Sequence, residues 1–301
     1  MRLSALLVTA LAFTPNDGDV LFATQAGVRL RTADSRSREA VATKLAQVHA
    51  LVFTPDGKTL AVAGGSPAES GAVELWSWRE GKLVTTLAGH DDLVYAVAWG
   101  PKGEWLAAAG ADRDVRVWDV ATGRRRHLLS GHSGPVLALA ATPDGRWLFS
   151  AGADQTIRVW DAATGRAVRT LDNHTGTVHG LALRPGTDGP PVLASAGADG
   201  TIRVWQPTVG RMVRIVRHPA VVYAVAWSGD GAAILSGAGD GKLRLIAADS
   251  DTVLAERAIK GGRPTVVATT GARGVAGTTA GETIRFDVKA AAFQEVAAPP
   301  R

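Results

Sequence analysis

The chain has 301 residues, 46% of them hydrophobic, no cysteine, and a formal charge of +5 with a pI near 9.9. Without cysteine there are no disulfides, no thiol nucleophile and no thiolate zinc site, and without a run of 18 apolar residues there is no transmembrane helix. The arginines are spread along the chain with one tight run, Arg124 to Arg126, which argues against a dedicated nucleic-acid arm.

At the N-terminus, Met1-Arg2 followed by LSALLVTALA, with Ala10-Leu11-Ala12 as a cleavage site, has the form of a short signal peptide. A competing reading comes from the next segment. VTALAFTPNDGDVLFA from Val8 matches VHALVFTPDGKTLAVA from Val48, so cleavage would remove most of a core strand. The expectation is therefore a cytoplasmic protein, with export as the alternative if residues 1–12 act as a signal.

The match between Val8 and Val48 is the first of a series. Seven copies begin at Val8, Val48, Val94, Val136, Val178, Val222 and Val266, spaced by 40, 46, 42, 42, 44 and 44 residues. That period suits propeller blades and is too long for most helical repeats. Each copy contains four short runs of Val, Leu, Ile and Trp punctuated by Gly, Pro and Asp. In the fourth copy they are VLALAAT, WLFSAGA, TIRVWDA and AVRTL, separated by PDG, DQ and ATGR. The first run is apolar on both faces, as for a strand sandwiched between neighbouring sheets. The sequence predicts an all-β fold: one domain over residues 1–301, a seven-bladed β-propeller with four antiparallel strands per blade.

TPDGRWLFSAGADQTIRVWDAATG with GH upstream, repeated as VYAVAWGPKGEWLAAAGADRDVRVWDVATG, resembles the WD40 repeat. The resemblance implies a buried His, Ser/Thr, Asp and Trp tetrad in each complete blade. His132, Ser150, Asp154 and Trp160 supply it in blade 4, and His174, Ser195, Asp199 and Trp205 in blade 5. Blade 3 has Ala108 in place of the hydroxyl beside His90, Asp112 and Trp118; blade 6 has Ile246 in place of Trp beside His218, Ser236 and Asp240. In blades 1, 2 and 7 the Trp position is assigned to Arg31, Trp76 and Asp287.

The same residue types make up a hydrolase triad. Against that reading the set occurs twice, its serines lie inside strands beside a Trp, and no G-x-S-x-G elbow is present, GHSGP around Ser133 failing at its last position. Gly237 to Lys242 resembles a phosphate loop but has Ser236 at the first Gly position and leads into a strand, so it reads as a hairpin turn. A channel metal would need several ligands on first strands, where only His49 and His179 could coordinate. No catalytic residue, cofactor or metal site is assigned. An Arg recurs two residues before the Trp position at Arg29, Arg116, Arg158, Arg203, Arg244 and Arg285, with Glu74 as the exception, and reads as a long stem covering apolar surface.

The resemblance implies a non-catalytic scaffold binding a protein or peptide at the top face, as a monomer or within a hetero-complex. The residues after each starting Val, which are Thr9, His49, Tyr95, Leu137, His179, Tyr223 and Val267, should ring the channel mouth. Both tyrosines of the chain fall there. Leu93, Pro135 and Val221 would form an apolar floor. The alternatives are an anion- or nucleic-acid-binding propeller using a basic outer rim at Arg124 to Arg126, Arg166, Arg169, Arg211 and Arg214, and a channel-metal hydrolase. A last expectation concerns closure: counting from Asp287 places the fourth strand of blade 7 up to Ala298, so deleting residues 290–301 should destabilise the ring.

Overall fold

The computed structural model describes residues 7–15, 19–24, 27–32, 37–186, 189–260 and 262–288. Among these residues the chain forms seven successive antiparallel sheets, six of four strands and a last one of three, each ordered as in the sequence. The first strands are Ala10–Phe13, Gln47–Phe53, Val94–Trp99, Val136–Ala141, Val178–Leu183, Val222–Trp227 and Pro264–Thr270. Consecutive first strands touch one another, and the seventh touches the first, so they form the inner ring of a closed seven-bladed propeller. Second strands such as Trp105–Gly110 and Ala233–Ala238 are buried along their whole length, because each blade is covered by a neighbour on both faces.

The core is divided into layers between blades. One hydrophobic cluster fills each of the seven interfaces, including a cluster of Val8, Leu11, Val20, Phe22 and Val275 that joins blade 7 to blade 1. Third strands aim one large side chain at the preceding blade: Trp76, Trp118, Trp160, Trp205, Ile246 and Phe286 each lie in such a layer. Blade 1 has Arg31 there instead. Its guanidinium lies 5.3 Å over the Phe22 ring and donates to Thr283 Oγ1 at 2.5 Å, while Arg285 donates to the Arg31 carbonyl at 2.8 Å. The seam between blades 7 and 1 is thus more polar than the other interfaces.

The structure corrects the register of blade 7. Pro264 pairs with Thr278 as Val136 pairs with Gly152, and Gly274 pairs with Phe286 as Leu148 pairs with Trp160. The blade therefore starts at Pro264 and not at Val266, Phe286 and not Asp287 takes the Trp position, and Arg285 is not equivalent to Arg158. A two-residue slip keeps the same face of a strand inward, so the apolar run around Val266 could not reveal it. The expected fourth strand of blade 7, within 290–298, lies outside the described residues.

The outer strands tie adjacent blades together. His127 reaches the Ala163 carbonyl of blade 4 at 3.1 Å, Arg169 lies against Gly210 of blade 5, and Arg214 donates to the Ser250 carbonyl of blade 6 at 2.7 Å. Each contact runs from a fourth strand to the next blade's third turn.

Candidate functional site

The two complete tetrads lie inside blades 4 and 5 and are closed hydrogen-bond relays. Trp160 Nε1–H donates to Ser150 Oγ at 2.8 Å, that hydroxyl meets His132 Nε2 at 2.8 Å, and His132 Nδ1 meets Asp154 Oδ2 at 2.8 Å. In blade 5 the corresponding distances for Trp205, Ser195, His174 and Asp199 are 2.9, 2.7 and 2.8 Å. The hairpin turn places the carboxylate, because Asp154 Oδ1 also accepts from Thr156 N–H and Asp199 Oδ1 from Thr201 N–H. Ser150 and Ser195 are fully buried, so neither hydroxyl is presented to a substrate.

The incomplete sets draw in other residues, which satisfy only part of their polar atoms. In blade 3, Arg116 binds both Asp112 and His90 Nδ1, and with Ala108 at the hydroxyl position His90 Nε2 has no partner among the described residues. In blade 2, Trp76 Nε1–H donates to Glu74 Oε2 at 3.0 Å, so the one acidic residue of the Arg register replaces the missing Ser. In blade 6, Arg244 holds Asp240 at 2.5 Å and Glu256 at 2.8 Å, while His218 bonds Ser236 at 3.0 Å through Nε2 and its Nδ1 makes no well-formed hydrogen bond to a described residue. Burial and then the nearby Arg244 charge push His218 down to about 4. The Arg register is therefore neither a ring of free cations nor only a cover of apolar surface. Arg116, Arg203 and Arg244 are buried and clamp the turn Asp four residues earlier, a spacing legible in the sequence.

These groups set the acid sensitivity of the fold. Burial lowers His132, His174, His49, His179 and His218 below their ordinary 6.5. The unfolded chain then binds more protons than the folded one below 6.5, and the stability contributed by neutral histidine falls with pH in that window. Burial alone would raise Asp112 and Asp199, but their histidine, arginine and threonine partners hold them at about 2, so a further loss begins below 3.8. The melting temperature should fall steadily from pH 7 to pH 4 and more steeply below; a flat profile over pH 4 to 7 would contradict the buried neutral histidines.

A different set of side chains reaches the rim where first strands begin. In blades 2 to 7 the register shifts around one residue, as between Val136 and Ala138, so a β-bulge carries His49, Tyr95, Leu137, His179, Tyr223 and Thr265. Thr265, not Val267, is the blade 7 member. With Thr9, all seven are half-buried. His49 stacks edge-on against Tyr95 with centroids 5.1 Å apart, and His179 meets Tyr223 at 5.4 Å. Two imidazole–phenol pairs thus bridge blades 2 to 3 and 5 to 6, a contact across blade boundaries that repeat alignment did not suggest. Thr9 and Thr265 instead donate to the neighbouring Val48 and Val8 carbonyls, at 2.5 and 3.5 Å.

Pro135 and Val221 lie beside the rim, half-buried, and their carbonyls accept from Ala153 and Gly239 N–H at 2.8 Å. Leu93 does not belong to an accessible floor: it is only 6% exposed and its carbonyl accepts from Ala111. The bulge also demands close backbone approach. A Cβ at Gly110 or Gly152 would sit 1.8 or 2.1 Å from the carbonyl oxygen of Leu93 or Pro135. Gly152→Ala should therefore cost roughly 1 to 3 kcal/mol, as overpacking does, and displace Leu137; a melting temperature equal to wild type would show that the carbonyl can move freely.

Comparison with known proteins adds an independent line. The description "WD domain, G-beta repeat" matches residues 81–119, 123–161, 165–206 and 210–246, together just over half of the chain. The chain belongs to the WD40 repeat family. It is 33% identical over 115 residues to an uncharacterized WD repeat-containing protein of Synechocystis sp., a stretch of 37% of this chain and 31% of that protein. It is also 35% and 37% identical over 68 residues to intraflagellar transport protein 122 homologs of Danio rerio and Xenopus tropicalis, covering 23% of this chain and 5% of theirs. The chain thus spans under a third of the length of these relatives.

WD40 propellers are commonly protein-interaction scaffolds and generally non-catalytic. In this WD40 protein the matched repeats include both complete tetrads, while blades 1 and 7, where Arg31 and Phe286 replace Trp, lie outside the matched residues. Gly237 to Lys242 is the hairpin turn between Ala233–Ala238 and Lys242–Ala247. Among the described residues no helix is long and apolar enough to cross a membrane.

Proposed function

We propose that this WD40 propeller is a non-catalytic scaffold that binds a protein or peptide partner at the rim where the first strands begin. One observation carries the reading: six consecutive first strands each use a bulge to present one half-buried side chain, and four of those are the two His–Tyr pairs. Bulges re-aim side chains at the cost of ladder bonds, and aromatic side chains held half-exposed are the usual anchors of interfaces. Leu137, Pro135 and Val221 add apolar surface between and beside the pairs. The tetrads hold the blades that carry this rim.

The basic outer rim supports a nucleic-acid or anion partner less well, since two of its arginines are already paired with carboxylates. Arg126 pairs with Asp119, Arg214 with the Ser250 carbonyl and Asp251, and Arg169 lies over Gly210. Cytoplasmic retention fits the burial of Val8 and Ala10, which cleavage after Ala12 would remove. Partners captured on the whole protein and identified by mass spectrometry, then rebound in purified form across a salt series, test the reading. A direct protein partner held at moderate salt is expected; sequence-preferring nucleic-acid binding that survives the same salt would replace it.

A further inference from the structure

We infer that the rim takes an extended peptide in one direction: a lysine or arginine of the partner sits over Tyr95, and an apolar stretch runs from there past Leu137 to Tyr223. This rests on the rim as docking surface and adds the chemistry and the direction of what docks there. The seven rim positions are not equivalent. In blades 2 to 6 they are His49, Tyr95, Leu137, His179 and Tyr223, all rings or aliphatic, whereas Thr9 and Thr265 of blades 1 and 7 direct their hydroxyls to the Val48 and Val8 carbonyls. The receptive part of the mouth is therefore an arc of five blades with an imidazole–phenol pair at each end. The two ends are built alike. Both tyrosines stand in the same strand sequence, VYAVAW, at Val94–Trp99 and Val222–Trp227, and the closing indole of each donates to a carbonyl of the preceding blade at 3.0 Å, Trp99 to Val52 and Trp227 to Ala182.

What differs between the ends is charge. Tyr95 is framed by the loop before its strand and by the turn 111–114, which carry Asp91, Asp92, Asp112 and Asp114 against Arg113. Asp92 Oδ1 accepts from Leu93 N–H at 2.7 Å and from Ala68 N–H at 2.8 Å, and the second bond brings the blade 2 turn with its exposed Glu69 to the same place. Arg116 reaches in from the third strand and pairs with Asp112, while Asp91 and Asp114 lie farther from it at 3.5 and 4.0 Å. Among the described residues five carboxylates thus surround Tyr95 against two guanidiniums, and adding Lys44 from the loop before blade 2 still leaves this end acidic. The Asp91 side chain is 89% exposed. Burial, and then the Asp92 charge, raise the Tyr95 phenol above its ordinary value, so a neutral ring stands within that field.

Around Tyr223 the balance is reversed. Asp240 is bound by Arg244, Glu256 is bound by both Lys242 and Arg244, and Arg217 adds an exposed positive charge. His49 and His179 do not alter this contrast at neutral pH, because burial lowers both below their ordinary 6.5. A phenol ring beside exposed carboxylates is a seat for an ammonium or guanidinium, which gains from the ring face and from the negative field together. The same ring beside Arg217 and Lys242 is not. Leu137, with Pro135 and Val221 beside the arc, offers apolar side chains between the ends a surface to cover. A basic residue followed by an apolar stretch matches the arc when it runs from blade 3 toward blade 6, and is mismatched when it runs the other way.

Selection of a random-peptide phage library on the full chain tests this pairing. Selected peptides that lose affinity for Tyr95→Ala should carry Lys or Arg beside an apolar stretch. As synthetic peptides they should bind roughly ten-fold more weakly to Asp91→Asn/Asp92→Asn, a loss that shrinks as salt rises. Asparagine keeps an Oδ1 acceptor for the Leu93 and Ala68 N–H groups, so the loop should hold its shape. Asp172→Asn, which removes an exposed carboxylate from the loop before blade 5, should change nothing. Direction is read by coupling: a peptide with Gln in place of its basic residue should no longer sense Asp91→Asn/Asp92→Asn, and one with Ser in place of its apolar residues should no longer sense Tyr223→Ala. Tyrosine-dependent peptides without a basic residue, or basic ones indifferent to Asp91→Asn/Asp92→Asn, would overturn the inference and leave the rim as docking surface. Selected peptides that bind Tyr95→Ala and Tyr223→Ala as they bind wild type would overturn both.

Discussion

Replacing Ser150 and Ser195 together by alanine should lower the stability of the propeller by roughly 2 to 6 kcal/mol, about 1 to 3 for each hydroxyl, in chemical denaturation. Each serine is the only link between a buried indole N–H and a buried imidazole. Its loss strands Trp160 and His132 in blade 4, or Trp205 and His174 in blade 5. The two relays share no partner, so their effects should add. Ser236→Ala is the control. It has His218 as a partner but Ile246 in place of the indole, so it strands one group and not two and should cost less. If all three serines contribute equally, the indole is not part of the energetic unit.

Tyr95→Ala and Tyr223→Ala should each weaken partner binding by roughly 1 to 4 kcal/mol, the range of interface aromatic anchors, with little change in melting temperature. The phenol rings stand half-buried on bulges and pack on His49 and His179, not in the layers between blades, which explains why binding and stability separate. Arg125→Ala, on the exposed outer strand of blade 3, should have a far smaller effect. Removing either histidine should reproduce part of the tyrosine effect, since the imidazole sets the orientation of the ring beside it. Normal binding by both tyrosine variants together with failure of Arg125→Ala would move the site to the circumference.

Much of this was written in the residue types. Blade number and strand order follow from seven spaced Val-initiated runs, and the tetrads of blades 4 and 5 follow because an indole donor, a hydroxyl, an imidazole and a carboxylate can satisfy one another in one order. Blade 7 was harder to read: its apolar first run reads equally well two residues apart, which hid the start at Pro264, and without a Trp in the third strand nothing in the sequence marks Phe286 over its neighbour Asp287. The bulges left no compositional trace, because an inserted residue changes pairing and not type. Nor did the burial of Leu93, which looks like its half-exposed counterparts Pro135 and Val221 until its neighbours are placed. The Asp–Arg clamps were the missed legible signal, four residues apart in blades 3, 5 and 6.

The most direct test of the rim as docking surface is site-specific photocrosslinking to the captured partner. Benzoylphenylalanine in place of Leu137 would lie between the two His–Tyr pairs, and in place of Leu128 it would lie on the exposed outer strand of blade 3. The account predicts a covalent adduct with the partner from position 137 and none from position 128. Crosslinking from 128 alone would contradict it.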